Sequence, residues 1–407
     1  MRLTKRCIPF FLVMALTFFV LLYTGEGIYL YIVAFQFLIL CLSAINIVAT
    51  FALLRLHQSL EPAEAVRGDS TVLKIEVHNE SVIPFAHLSL RYHTVESRFS
   101  GKVRRFNVYI PPRGNGTAEI PVYCPYRGQY GVGLESAVAT DIFGLFRFKL
   151  KGEYLSQKQA QLLVYPRLRE LSRGALPNRE DEGATISSRS RAEEISSIAE
   201  IRDFRDGDPL KRVHWKLSAR MGELMIKEFE GSLTSENVVM LDCTDHGLAG
   251  ENAARLEDTM TEAAAAFCKR FCDDFRPLTL VSYTDERTET VGTEPADFPA
   301  FYTSLARQRF GGALPMDGAL RLELDERVEI GSLVLITKTP SDELFELLCA
   351  LAASDCLITL VIAMKDTEYD DRSVRMMGEF AMRGIRAITL LPGEDVTMRL
   401  VGEGGGI

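Results

Sequence analysis

The densest run of chemically capable side chains is IRDFRDGDPLKRVHWKLSARMGELMIKEFE, residues 201–230. His214 could serve as a general acid or base, with Asp208 or Glu223 as its carboxylate partner, in a membrane-associated hydrolase. Its place after Val213, at the edge of an apolar stripe, favours instead a hydrogen-bonded structural histidine. Arg212, Lys216 and Arg220 fall at i, i+4 and i+8, which makes a basic row on a helix. Such a row suits an acidic partner surface or anionic lipid. Glu193, Glu194, Glu200 and Asp203 could equally neutralise it from within, and the acids Asp203, Asp206 and Asp208 weaken a phosphate-binding role.

Motifs that would carry other chemistry do not occur. The chain has no G-x-x-x-x-G-K-[ST] run for a P-loop, no H-E-x-x-H and no G-x-S-x-G. The six histidines (His57, His78, His87, His93, His214, His246) are scattered, and the eight cysteines contain no C-x-x-C spacing. Cys268 and Cys272, four apart on a helix, read as small buried hydrophobes. The expectation is a protein without catalytic residues, cofactor or metal.

The elements that must hold these residues follow from local pattern. Asp208 suits an N-cap and Pro209 the first helical position, while Gly222 is placed to end the helix in a left-handed conformation. Leu210, Val213, Leu217 and Met221 form its apolar stripe, with Trp215, the single tryptophan, on the flank. Before this segment, residues 170–200 are polar and mixed in charge, which reads as a linker. After it, strands at 237–241, 278–283, 332–337, 357–363 and 386–391 alternate with helices at 297–309, 341–353 and 372–383. A further helix places Leu256, Met260, Ala263, Phe267 and Phe271 on one stripe. Continuous apolar strands alternating with helices predict a doubly wound α/β domain with a mostly parallel sheet. From about residue 60 to 150 the apolar period is two instead. Leu73, Ile75 and Val77 alternate with polar residues, as do Leu88, Leu90 and Tyr92. Phe106, Val108 and Ile110 lead into Pro-Pro-Arg-Gly-Asn-Gly and Ala118, Ile120 and Val122 lead out, which predicts a β-hairpin within a small antiparallel β-sandwich.

The N-terminus is of another kind. Residues 8–24 and 28–54 carry no charge, and each is long enough to cross a bilayer. Only Gly25-Glu26-Gly27 separates them, so they form a transmembrane helical hairpin. A cleaved signal peptide is the competing reading, but no small-residue cleavage pattern follows the first run and a second apolar run does. Arg2, Lys5 and Arg6 before the first helix and Arg55 after the second place both termini and the soluble domains in the cytoplasm, on a cell-membrane anchor. The net charge of −9 over 407 residues argues against a protein that coats nucleic acid.

Residues 201–230 resemble the signature of the bacterial domain-of-unknown-function family 58, DUF58. The matching residues are Gly207-Asp208, Arg212-Val213-His214-Trp215-Lys216, Ser218-Ala219-Arg220 and Gly222-Glu223-Leu224. Tyr126-Arg127-Gly128-Gln129-Tyr130, Asp141-Ile142-Phe143-Gly144-Leu145-Phe146 and Val164-Tyr165-Pro166 are similar to that family as well. The resemblance implies a C-terminal von Willebrand factor A-like domain. It also implies a membrane-anchored, non-enzymatic interaction or assembly factor that works with a MoxR-type AAA+ ATPase and a transglutaminase-like membrane protein. Arg212, Trp215, Lys216 and Arg220 are then the partner-binding candidates.

A von Willebrand A domain usually holds a divalent ion through Asp-x-Ser-x-Ser, a distant Thr and a distant Asp. Here Asp242 and Thr244 fit, His246 replaces the last Ser, Ala313 stands for the Thr and Lys338 for the Asp. The expectation is a degenerate site in which Asp242 pairs with Lys338. The implied layout is membrane helices at 1–56, a β domain at 57–155, linker and signature at 156–235, the α/β domain at 236–398 and a flexible tail at 399–407.

Overall fold

A computed structural model describes residues 2–4, 6–100, 104–151, 159–171, 176, 198–203, 215–229, 236–327, 330–338, 340–354, 356–365 and 377–394. The chain divides into two compact units, Met1–Arg167 and Leu168–Ile407.

The first unit opens with a short strand, β1 (Arg2–Leu3), and two long helices, α1 (Cys7–Thr24) and α2 (Gly27–Leu53). Gly25 turns the chain between them with φ 68°, a conformation that favours glycine. Both helices are long and apolar enough to cross a membrane. Their large side chains, such as Leu16 and Phe19, stay more than half exposed, which a soluble core helix would not allow. This apolar surface marks a membrane-associated chain.

The strands that follow are β2 (Leu54–Glu61), β3 (Glu64–Val66), β4 (Ser70–Asn79) and β5 (Phe85–His93). A short helix, α3 (Val95–Ser100), precedes β6 (Arg104–Ile110), β7 (Asn115–Tyr123), β8 (Gly128–Thr140), β9 (Phe146–Lys151) and β10 (Ala160–Tyr165). Among the described residues, β2, β4 and β7 make a three-stranded antiparallel sheet. The others form a second sheet along β1-β9-β8-β10-β3, with β5 pairing both β6 and β8. Alternation explains the packing, because Leu73, Ile75 and Val77 of one sheet and Leu88, Leu90 and Leu134 of the other share one buried cluster.

Three expectations need correction here. β6 and β7 do not form a hairpin: β6 pairs with β5 and β7 with β4, so the chain crosses between sheets at the Pro111–Gly114 turn. Turn chemistry cannot distinguish a hairpin from such a crossing, since both reverse the chain. The sheets are also not purely antiparallel, because β10 runs parallel to β3. Finally, β10 completes this unit, so the division falls after Arg167 and not at residue 155.

Among the described residues, the first elements of the second unit are β11 (Ile198–Asp203) and β12 (Met225–Phe229), paired antiparallel, with α4 (Trp215–Met221) between them in sequence. Residues 198–200 therefore belong to a strand, not to the expected linker. The α/β part runs β13 (Glu236–Leu241), α5 (Gly250–Asp273), β14 (Leu278–Tyr283), β15 (Arg287–Gly292), α6 (Phe298–Arg307) and α7 (Met316–Glu326). It continues with β16 (Ile330–Thr337), α8 (Asp342–Ala353), β17 (Leu357–Ala363) and β18 (Arg386–Leu390). The sheet order is β15-β14-β13-β16-β17-β18, parallel throughout except for the edge strand β15. Alternate residues of each strand serve opposite faces. Val239 and Leu241 pack with Leu256, Met260, Ala263, Phe267 and Phe271 of α5, while Val238 and Met240 pack with Leu320 of α7 and Leu344 and Leu348 of α8. Cys268 and Cys272 are fully buried in that α5 stripe, and all eight cysteines are free thiols.

Glu323 of α7 is fully buried and is the hub of an ionic network. Arg287 donates to it at 2.6 and 3.0 Å, Arg327 at 2.9 Å and the Tyr283 hydroxyl at 2.5 Å. Burial pushes the Glu323 carboxyl up, but these donors outweigh it and hold the group below the usual carboxylate range.

Candidate functional site

The signature segment is only partly described. Gly207, Asp208, Arg212 and His214 lie outside the described residues, and Trp215 and Lys216 are described as backbone within α4. Arg220 and Glu223 are exposed. Gly222 ends α4 with φ 78°, its N–H donating to the Ser218 carbonyl at 2.9 Å, as its position in sequence predicts. The apolar stripe is not continued at its C-terminal end, because Met221 is 63% exposed and the buried residue of this turn is Ser218. The reason is local: the Ser218 hydroxyl accepts the Met225 N–H at 2.9 Å, which turns that face of α4 towards β12.

The strand-end residues form a tighter constellation. Asp242 directly follows β13, and Thr337 ends the adjacent strand β16 with Lys338 directly after it; the Asp242 N–H ties the two strands together through the Ile336 carbonyl at 2.9 Å. The third contributor is the 311–313 loop. Gly311 and Gly312 both donate to the Cys243 carbonyl at 2.9 Å, and Gly312 makes a parallel bridge to Thr244. A side chain at Gly312 would meet the Tyr283 carbonyl oxygen at 2.9 Å, so this close approach requires glycine. Ala313 is exposed on the same loop.

Four donors converge on the Asp242 carboxylate, which is 4% exposed. Oδ1 accepts the Thr244 N–H at 3.0 Å, the Thr244 hydroxyl at 2.6 Å and the Lys338 ammonium at 3.3 Å; Oδ2 accepts the Thr337 hydroxyl at 2.8 Å. Lys338 Nζ also donates to the Thr244 carbonyl at 2.6 Å and to the Thr244 hydroxyl oxygen. Burial pushes the Asp242 carboxyl up, and the Lys338 charge together with the Thr244 and Thr337 hydrogen bonds brings it below the usual range. The predicted Asp242–Lys338 pair is therefore formed, with the ammonium bound by three oxygens.

His246 faces away from this carboxylate. Its Nδ1 accepts the Leu248 N–H at 3.1 Å, so the proton sits on Nε2, which donates to Glu257 at 3.1 Å. A histidine held at both nitrogens is a loop brace. Asp245 is the exposed carboxylate of the loop, held below its usual range first by the Gly247 N–H. Among the described residues no group of three or more His, Cys, Asp or Glu side chains could hold a metal ion. Sequence reasoning missed the roles of Thr337 and Gly312. The threonine next to Lys338 and the doubled glycine before Ala313 were the available signals.

Residues 200–297 match the family model described as "Protein of unknown function DUF58". The match takes in α4, β13 and the Asp242–His246 loop. The uncharacterized protein YeaD of Bacillus subtilis (strain 168) is 32% identical over 81 residues, 20% of this chain and 20% of that protein. The aligned stretch thus spans about a fifth of the curated relative. Among solved structures, the conserved hypothetical protein BatB from Bacteroides thetaiotaomicron is similar at 14% identity and TM-score 0.26, over 38% of this chain and 89% of that one. An aerotolerance-related membrane protein from Bacteroides fragilis NCTC 9343 is similar at 13% identity and TM-score 0.29, over 41% and 95%.

Proposed function

We propose that the chain is a membrane-anchored, non-enzymatic interaction or assembly factor of the DUF58 type. In this reading the α/β unit is a von Willebrand A-like domain whose strand-end site is closed by Lys338 and engages its partner without a divalent ion. The observation that carries the reading is the ammonium seated on Asp242 and Thr244. In open α/β sheets the crevice at the carboxyl ends of the strands is where ligands bind. A magnesium ion would need those same oxygens, and a fixed positive charge within hydrogen-bond distance repels it.

The remaining parts take roles around that site. α1 and α2 anchor the chain, and the Arg2, Lys5, Arg6 and Arg55 flanks put the soluble units in the cytoplasm. Arg220, exposed at the end of α4, supports the basic row as a docking surface with Arg212, Trp215 and Lys216. A MoxR-type AAA+ ATPase and a transglutaminase-like membrane protein are the proposed partners.

Two measurements test this. Tagged full-length protein, solubilised gently from its native membrane, should co-purify an AAA+ ATPase or another membrane component. The combined Arg212→Ala, Lys216→Ala and Arg220→Ala variant should lose it while staying folded. Recovery of nothing under several conditions overturns the partner reading. In calorimetric titration with magnesium or manganese, saturable binding that Asp242→Ala abolishes overturns the ion-free reading.

A further inference from the structure

The turn Asp141-Ile142-Phe143-Gly144 carries two large apolar residues at its tip, where polar residues are the norm. Ile142 and Phe143 are each 45% exposed. The turn itself is tightly built. The Asp141 carbonyl accepts the Gly144 N–H at 3.0 Å, and Gly144 adopts φ 72°. The Asp141 side chain is fully buried, accepting the Phe143 N–H at 3.0 Å, the Phe146 N–H at 2.6 Å and the Ser43 hydroxyl of α2. Immediately beyond, the Leu145 carbonyl accepts the Thr4 N–H at 3.0 Å and the Cys7 thiol at 2.8 Å. The turn is thus clamped to the start of α1 and to α2 at the same level.

That level can be placed. At about 1.5 Å per residue, the 18 residues of α1 are about 27 Å long, close to the thickness of a bilayer core. Cys7 therefore lies at one boundary of the core. α2 continues past Ser43 to Leu53, and its Asn46, Ile47 and Thr50 are buried. An apolar groove of about 550 Å³, lined by Leu3, Thr4, Cys7, Ile8, Phe11 and Leu12, opens at the same end of α1. Basic residues surround the turn. Arg6 Nη1 lies 3.1 Å from where a Cβ on Gly144 would stand, and Arg147 is exposed on β9.

We infer that the Asp141–Phe146 turn is a bilayer-contact site, its Ile142 and Phe143 side chains seated in the headgroup–acyl boundary beside the membrane hairpin. The inference rests on the reading that the hairpin spans the membrane. The occupant is bilayer lipid, because the turn is hydrogen-bonded through Leu145 to Thr4 and Cys7 at the start of α1, whose apolar Ile8 and Leu12 are exposed. Apolar side chains at this depth with basic side chains at headgroup level are the pattern of interfacial anchoring. The carboxylate of Asp141 pairs the Phe143 and Phe146 N–H groups, which leaves fewer backbone donors to be desolvated where the turn enters that boundary. The β unit then meets the bilayer at this turn as well as through the hairpin, so it is fixed against the membrane surface and not only to the helices that carry it.

The test uses full-length protein in phosphatidylcholine–phosphatidylglycerol vesicles, with Trp215→Phe as background and one new tryptophan per variant. Phe143→Trp and Ile142→Trp should each lose more emission to lipids brominated near the headgroup than to lipids brominated near the chain ends. Leu16→Trp, midway along α1, should show the reverse order. Tyr123→Trp should lose none, since its strand register with Ser70 puts it at the end of β4 remote from α2. If Leu16→Trp is quenched while both turn variants stay unquenched, the bilayer-contact site is refuted and the spanning reading survives. If Leu16→Trp is unquenched, the spanning reading fails and this inference falls with it.

Discussion

Replacing Lys338 by methionine removes the ammonium and leaves the Asp242 carboxylate buried against three donors instead of four. Side-chain exposures of 6% for Lys338 and 4% for Asp242 mean that water cannot take over the lost partner. Removing one member of such a pair costs about 3–5 kcal/mol, and about 3 kcal/mol is a factor of roughly 150 in an opening equilibrium. The matching assay is hydrogen–deuterium exchange on the full chain, read at the amides of β13 and β16, because a two-unit protein need not unfold in one step. At neutral pH the variant should exchange there roughly a hundredfold faster than the native protein. The sign with pH follows from Asp242. In the native protein its carboxyl lies below the ordinary range, so the pair's stabilisation is present above the unfolded value of about 3.9 and lost as pH falls through the folded one. Without Lys338, burial dominates and the carboxyl titrates higher. The ratio of variant to native exchange should therefore shrink on acidification, and Asp242→Asn added to Lys338→Met should restore most of the protection. Equal exchange in variant and native protein at neutral pH would refute the argument, as would a double variant no better than the single.

Three further outcomes are expected. Glu323→Gln leaves Arg287 and Arg327 without their buried counter-charge and should destabilise the α/β unit by about 3 kcal/mol, read by amide exchange in α7; because Glu323 is held below its usual range, the native advantage should fade as pH drops below about 4. Gly312→Ala forces a Cβ against the backbone at Tyr283 and Thr284 and should cost about 1–3 kcal/mol, with exchange at Thr244 and Asp245 rising most. Ser341→Ala removes the acceptor for the Leu344 N–H, 3.1 Å away at the start of α8, and should cost about 1 kcal/mol, visible as faster exchange in its first turn.

The α/β unit was largely legible because its signals are local and repeated. The α5 stripe and the apolar strands repeat often enough that no alternative period fits them, and the structure places each where its pattern indicates. The Asp242–Lys338 pair was legible for another reason: each residue directly follows a strand, and parallel neighbours bring their carboxyl ends together. What escaped was non-local. β15 reads as polar loop because, as an edge strand, it buries little. Glu323 sits on an amphipathic helix where a glutamate ordinarily faces water, and only the approach of Arg287 and Arg327 makes its burial affordable. Met221 was assigned to a buried stripe by spacing alone, while the serine three residues before it had a backbone partner across the turn. The sheet exchange at Pro111–Gly114 had no local signal, since each flanking strand keeps the same alternation whichever sheet it joins.

That exchange has a consequence for how the chain acquires its fold. β4 pairs on one edge with β2, close by in sequence, but on the other with β7, where Ser70 meets Tyr123. Until residue 123 has left the ribosome, the smaller sheet is a two-stranded ribbon with an open edge, a marginal object in water. The intervening β5 and β6 must meanwhile be laid into the opposite sheet. Separations of this kind slow folding, and they leave strand edges available to the wrong partner while the chain is incomplete. α1 and α2 are synthesised before the strands that follow them, and α2 runs into β2 without a single intervening residue, so the open edge waits for β7 directly beside these two apolar helices.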